Sequence, residues 1–262
     1  MRFGLLAGKH AQDFVVIGGL NPDYLAPAAP VQHQGTTDID LLFALGFDDV
    51  AAGRDFSWVD GALETGQFTS TNRWRWDALL GDARVRLEFL CDVWDHTGDT
   101  VALPGSKTAV GCKLAGPAAA LEAPIVRRLA VNDAVRADFP DAPEYISLRF
   151  ANLGGYLLAK AAAAQSRMLA KDKYDFMYVV LFNEGGPEMA GRAVREQLAI
   201  TAEIADPSEI RQVADRYMDP TGTWAGMFAQ TMIATGDTAT EDQLRADAAY
   251  GAEAFLDALN AS

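Results

Sequence analysis

The sequence predicts an α/β (α+β) chain: a mixed sheet within residues 1–150, followed by a helical C-terminal part over residues 151–262. Three observations predict it. Short apolar, β-branched runs with period-two alternation and glycine stops fill the first half. From residue 152 onward the apolar spacing changes to three and four. The chain has 262 residues, half of them hydrophobic, which is enough for a sizeable core.

Phe14-Val15-Val16-Ile17 is a first, buried strand, stopped by Gly18-Gly19, a tight turn that opens a helix. Residues 38–45 form a second strand. A third and a fourth are expected at 67–76 and 84–91, joined by a turn at Gly81-Asp82. In the fourth, Val85, Leu87 and Phe89 alternate with Arg86, Glu88 and Leu90, so Glu88 stands on the face opposite the apolar residues. Residues 126–131 and 145–148 read as edge strands. Residues 156–182 support a long helix or a helix pair, stopped by Asn183-Glu184-Gly185-Gly186. Three more helices are expected at 187–204, 207–218 and 241–259, each with proline or acidic residues near its start. Asp219-Pro220-Thr221-Gly222 is a loop between them.

The formal net charge of −14 excludes a broad basic face for nucleic acid. Any RNA contact is therefore local. Between residues 144 and 180, Arg149, Lys160, Arg167, Lys171 and Lys173 outnumber Glu144, Asp172 and Asp175, a local excess of two positive charges. No run of about 18 apolar residues occurs, so no membrane span is expected. The N-terminus is too briefly apolar for a secretory signal. Two lone cysteines, Cys91 and Cys112, read as packing residues and suit a reducing cytoplasm.

Asp38 and Asp40, at i and i+2 of one strand, point to the same side. Two carboxylates held together need a cation, and magnesium takes oxygen ligands while leaving room for phosphate oxygens. A third acid is needed, and Glu88 is the candidate, with Asp92 as the alternative. Gly18-Gly19 after a strand suits close approach of a phosphate. On one continuous helix, Arg167 and Lys171 would fall within roughly 20° of Lys160, and Asp175 within about 60°.

In order and spacing, Val16-Ile17-Gly18-Gly19 followed by Gly35-Thr36-Thr37-Asp38-Ile39-Asp40-Leu41 resembles the signature of the DNA polymerase beta-type nucleotidyltransferase superfamily. The long gap between the two motifs is similar to its AbiEii branch of abortive-infection toxins. So is the stretch from Leu158-Ala159-Lys160 through Arg167 to Lys171-Asp172-Lys173-Tyr174-Asp175-Phe176. The resemblance implies a nucleotidyltransferase-type mixed-sheet core, completed by the helical part. It implies that Gly18, Gly19 and Thr37 contact a nucleoside triphosphate, and that Asp38, Asp40 and Glu88 hold magnesium. Lys160 would bind a phosphate, and Asp172 and Asp175 would position Lys160 or the base and ribose. The reaction implied is transfer of a nucleoside monophosphate to an acceptor hydroxyl on RNA, tRNA or a protein, with an antitoxin protein as restraining partner. Two features depart from the pattern: Gln34 stands where the family often has a basic residue, and the third acid is Glu rather than Asp.

Two alternatives stand beside this reading: a catalytically weakened nucleotide-binding module, and transfer to a small molecule of the aminoglycoside type. Other features read as structural. His10, His33 and His96 have no ligand spacing, which argues against zinc. His33 reads as a loop histidine, with substrate contact as the alternative. Arg73-Trp74-Arg75-Trp76 reads as a strand with exposed basic and buried aromatic residues, with base stacking as the alternative. Gly105-Ser106-Lys107-Thr108 matches part of a phosphate loop but lacks its upstream glycine.

Overall fold

The computed structural model describes residues 1–45, 53–80, 83–93, 96–114, 116–167 and 169–261; the expected Gly81-Asp82 turn lies outside them. The fold is α+β, with ten α-helices and one mixed sheet of eight strands among the described residues. The strands are β1 (Phe14–Ile17), β2 (Asp38–Phe43), β3 (Arg75–Leu80), β4 (Ala83–Cys91), β5 (Thr100–Ala102), β6 (Val110–Lys113), β7 (Ile125–Ala130) and β8 (Tyr145–Phe150). Before the C-terminal part come the helices α1 (Arg2–Ala7), α2 (Pro22–Leu25), α3 (Trp58–Thr65) and α4 (Asp133–Asp138). Within it are α5 (Leu153–Ser166), α6 (Ala170–Phe182), α7 (Gly186–Ile200), α8 (Pro207–Asp215), α9 (Thr223–Ala234) and α10 (Glu241–Asn260). No helix among the described residues is long and apolar enough to cross a membrane.

The chain divides into two compact units. The first comprises Met1–Ile17, Thr37–Ala115 and Pro124–Phe150, and the second Gly18–Thr36, Gly116–Ala123 and Ala151–Ser262. The expected cut after residue 150 is one of these boundaries; residues 18–36 and 116–123 belong with the helices.

The first unit holds the sheet, in the order β5-β6-β4-β2-β1-β8-β7, with β3 added against β4. β2 lies antiparallel to β1 and parallel to β4, and β1 is parallel to β8. On one face of β1, β2 and β4, Phe14, Phe43 and Phe89 join Phe3 of α1 in a closed ring of four aromatic contacts, with centroids 5.1 to 5.8 Å apart. Such pairing adds to the burial that anchors the sheet. The alternation read in β4 is present, and it leaves Arg86 and Glu88 on the other face, half-buried.

Three strand expectations are corrected. The third strand is not at 67–76 but at Arg75–Leu80, with Thr69 making only an isolated bridge to Asp77. Side chains explain the delay: Ser70 Oγ accepts from the Asn72 and Arg73 amides, and Asn72 Oδ1 accepts from the Arg75 amide. These local bonds compete with the ladder until Arg75. β8 is not an edge strand, because it lies between β1 and β7. The second strand ends at Phe43 rather than at 45.

The second unit is helical. α6 is buried on nearly every side, with Tyr174, Phe176, Met177, Tyr178, Val179 and Val180 all inaccessible, as befits a central helix. α5 is capped by Asn152, whose side chain accepts from the Gly155 amide. α7 and α8 end at Ile200 and Asp215, short of the expected 204 and 218, and α9 is a helix that the apolar spacing did not disclose.

Of the two forms expected over 156–182, a long helix or a helix pair, the structure has the pair, α5 and α6. Ser166 Oγ donates to the Ala162 carbonyl at 2.9 Å, and Leu169 adopts an extended conformation before α6 begins. Such back-bonding weakens a helix at its end. The break decides which charges can meet. On one helix Lys160 and Asp172 would stand roughly 18 Å apart along the axis. In the broken pair they are in contact.

Candidate functional site

In the first unit the candidate carboxylates are set by strand register. Asp40 of β2 is the direct partner of Glu88 on the parallel strand β4, and Asp38 is the partner of Arg86. Paired residues share a face, so Asp38, Asp40 and Glu88 stand together on the side opposite the phenylalanine ring. Asp92, the alternative third acid, lies four residues beyond Glu88 and past the end of β4, where it is buried. Register therefore favours Glu88.

Arginines answer these acids. Arg75, the β3 partner of Glu88, donates to Glu88 Oε1 at 2.7 Å and lies over the Trp74 ring at 4.5 Å. Arg86 Nη1 is 3.5 Å from Asp38 Oδ1, and its Nε donates to Asp77 Oδ1 at 3.0 Å. The hydrogen bond from Arg84, ahead of the opposing effect of burial, holds the Asp77 carboxyl below its ordinary range. The basic-aromatic run thus stays within the sheet: Trp76 is buried and donates to the Arg73 carbonyl, and Arg73 donates to the carbonyls of Thr108 and Lys107.

Three oxygen donors on one face are the type magnesium takes, so the donor set fits the ion by its chemistry. Among the described residues, no three His, Cys, Asp or Glu side chains are gathered into a ready metal cage. Glu88 and Asp38 turn to arginine instead.

In the second unit, Gly18-Gly19 does not open the expected helix. It forms a single 3-10 turn, Gly18–Leu20, and the helix that follows is only the four-residue α2. Asn21 alone intervenes, as the N-cap of α2, and it turns its side chain back to the Gly18 carbonyl at 3.4 Å. Both glycines are required by geometry. Gly18 has φ 74°, and a Cβ on Gly19 would stand 2.6 Å from the Thr36 Cβ.

The strongest charge cluster lies on α5 and α6. Lys160 Nζ donates to Asp175 Oδ2 at 2.6 Å and to Asp172 Oδ1 at 3.2 Å, and Arg167 donates to Asp172 Oδ1 at 2.9 Å. Lys160, Asp172 and Asp175 are all buried. Burial pushes the Asp175 carboxyl upward, but the Lys160 charge and the His33 hydrogen bond outweigh it and hold it at about 2. Asp172 Oδ2 is buried and accepts no hydrogen bond among the described residues.

This cluster also contains His33, which the sequence presents as a loop histidine without a structural partner. His33 is buried, its Nε2 is 2.9 Å from Asp175 Oδ1, and its Nδ1 accepts from the Gly35 amide at 3.1 Å. The Gly35 bond puts the ring proton on Nε2, where it donates to Asp175. Tyr174 stacks on the ring at 5.3 Å and Tyr178 meets it edge-on at 5.0 Å. The segment 28–35 lies along α6 in the opposite direction. Ala28 bonds the Phe182 carbonyl, Tyr178 the Val31 carbonyl, His33 Asp175, and Lys171 the Gly35 carbonyl. The α6 positions 171, 175, 178 and 182 are spaced by three and four, one helical face. The stripe containing Lys171 and Asp175 is therefore real, but it receives the loop rather than facing Lys160 along one helix.

The Gly105–Thr108 segment binds a carboxylate of its own unit. Asp60 accepts from Ser106 Oγ at 2.6 Å, the Lys107 amide at 2.7 Å, and the Thr108 amide and hydroxyl at 3.2 and 2.6 Å. Although burial raises it, these donors hold the Asp60 carboxyl at about 2. Cys91 is buried in the first unit, and burial pushes its thiol up to about 12.

No protein-family model, no curated protein and no solved structure matches this chain.

Proposed function

We propose that this chain is a magnesium-dependent nucleotidyltransferase of the toxin-like kind, moving a nucleoside monophosphate from a nucleoside triphosphate to an acceptor hydroxyl. The observation that carries the reading is the register of β2 on β4, which sets Asp40 opposite Glu88 with Asp38 on the same face. The buried Lys160, held by Asp172 and Asp175, supports it from the helical side of the chain.

In this reading Asp38, Asp40 and Glu88 hold the ion. Magnesium supplies charge neutralisation on the phosphates and polarises the phosphorus–oxygen bonds. Gly18, Gly19 and Thr37 contact the triphosphate through groups that a bulkier side chain would obstruct. Lys160 offsets phosphate charge. Glu88 accepts the acceptor's proton as the acceptor oxygen bonds the α-phosphorus; the bond from that phosphorus to the bridging oxygen breaks, and pyrophosphate leaves. Asp172 Oδ2 is an unmet acceptor suited to a ribose hydroxyl. The acceptor is RNA, tRNA or a protein side chain, and an antitoxin protein is the partner.

A second reading, a nucleotide-binding module without transfer, is favoured by one observation: Arg75 already occupies Glu88 at 2.7 Å. Incubation with each α-labelled triphosphate, magnesium and total RNA separates the two. Label on RNA that disappears in Asp40→Ala supports transfer. Nucleotide binding with no label on any acceptor supports the module, and transfer that survives Asp40→Ala refutes the site.

A further inference from the structure

We propose that His33 is a positioning residue, whose imidazole couples Asp175, and through it Lys160, to the peptide of Gly35. The inference rests on the nucleotide reading of Lys160 for its functional consequence, and on geometry for the coupling itself. Each oxygen of Asp175 has its own partner, Oδ2 the Lys160 ammonium at 2.6 Å and Oδ1 the His33 ring at 2.9 Å. The ammonium alone leaves Asp175 free to rotate about it; the histidine fixes the carboxylate plane, and with it the direction from which Lys160 is held. A buried polar ring costs free energy unless both nitrogens are bonded. An aliphatic residue would pack between Tyr174 and Tyr178 without that demand. What the imidazole adds is a donor on one side and an acceptor on the other, in line, which no aliphatic residue provides.

The second anchor is Gly35. Its amide donates to His33 Nδ1 and its carbonyl accepts from Lys171 Nζ at 2.9 Å. Both polar groups of this residue, whose φ is 75°, are thereby held by side chains. Gly35 stands three residues before Asp38 in the chain. The His33 side chain is fully enclosed, with no accessible surface, so it acts through Asp175 and Gly35 and touches no substrate.

The test uses the full chain and two variants. His33→Asn keeps an acceptor toward Gly35 and is too short to reach Asp175; His33→Gln keeps a donor at the position of Nε2. Affinity for the magnesium complex of each of the four ribonucleoside triphosphates is measured by calorimetry in the wild type and in Lys160→Met. His33→Asn weakens binding about tenfold, the worth of one hydrogen bond to a charged group, and less than about twofold in the Lys160→Met background. His33→Gln stays within about threefold of wild type. Equal losses in both backgrounds overturn the proposal, because a general structural defect does not depend on Lys160. If the wild type binds the magnesium complex of none of the four ribonucleoside triphosphates, the nucleotide reading falls, and carboxyl-carbon NMR decides His33 by itself. In His33→Asn the Asp175 titration moves upward in pH, whereas in His33→Gln it stays near the wild-type midpoint. An unmoved Asp175 titration in His33→Asn overturns the coupling.

Discussion

Asp175→Asn removes one charge from the buried cluster while keeping the side chain's shape, and its cost follows from the contacts around it. The carboxylate is held at about 2, against an ordinary 3.8, by the Lys160 charge and the His33 hydrogen bond working against burial. Because the folded-state value is the lower one, this stabilisation is complete above about pH 4 and is lost as pH falls toward 2. At ~1.4 kcal/mol for each tenfold change in proton affinity, the full effect is roughly 2.5 kcal/mol. Removing one partner of a buried pair costs about 3–5 kcal/mol, and here Asp172 still faces Lys160, so about 3 kcal/mol is expected. Urea unfolding followed by tryptophan fluorescence at pH 7 and pH 3 measures it. The gap between wild type and Asp175→Asn is about 3 kcal/mol at pH 7 and narrows by about 1 kcal/mol at pH 3. The two-chain comparison cancels the titration of other carboxylates. A gap below about 1 kcal/mol at pH 7, or one that does not narrow on acidification, would show that Asp175 is not the electrostatic centre described.

Three further expectations concern the other sites. Asp60→Ala strips four donors of their shared acceptor; at about 2 kcal/mol for a half-buried carboxylate, the thermal midpoint drops by roughly 4–8 °C, and an unchanged midpoint counts against the nest. Arg75→Ala releases Glu88; being a partly exposed pair, it costs less than about 1 kcal/mol of stability. In the transferase reading it also raises magnesium affinity in the presence of nucleotide, and calorimetry giving no change would leave Glu88 outside the metal set. Gly19→Ala forces a Cβ to 2.6 Å from the Thr36 Cβ, and overpacking of this kind costs about 1–3 kcal/mol. The double variant with Thr36→Gly recovers most of that loss in a denaturant titration if the clash is the cause.

Local patterns were legible wherever one face of one element decided the outcome. β4 announces itself by alternation, and the same alternation put Glu88 on the face where register with Asp40 requires it. β3 was misplaced because Ser70 and Asn72 divert the backbone through side-chain bonds that no hydropathy pattern records. The helical half shows the same limit. A run of alanines from 161 to 164 has no breaker in it, so the stop at Ser166 had to come from a hydroxyl bonding backward. α9 buries Trp224, Phe228, Ala229 and Met232 and leaves little polar contrast for periodicity to find. His33 was missed for a different reason: its partner Asp175 is 142 residues away, and a single histidine in a loop carries no spacing to read.

The carboxylate of Asp60 in the Gly105–Thr108 turn has a consequence for competition. Backbone amides and hydroxyls arranged around an anion attract phosphate as readily as carboxylate. Here the anion is part of the same chain, and a tethered group acts at an effective concentration that a dissolved one rarely matches. Triphosphate and inorganic phosphate therefore meet a turn whose donors are already taken, and acid strong enough to protonate Asp60, near pH 2, is what would vacate it. The chain thus contains a well-formed anion receptor that is closed to every anion but its own.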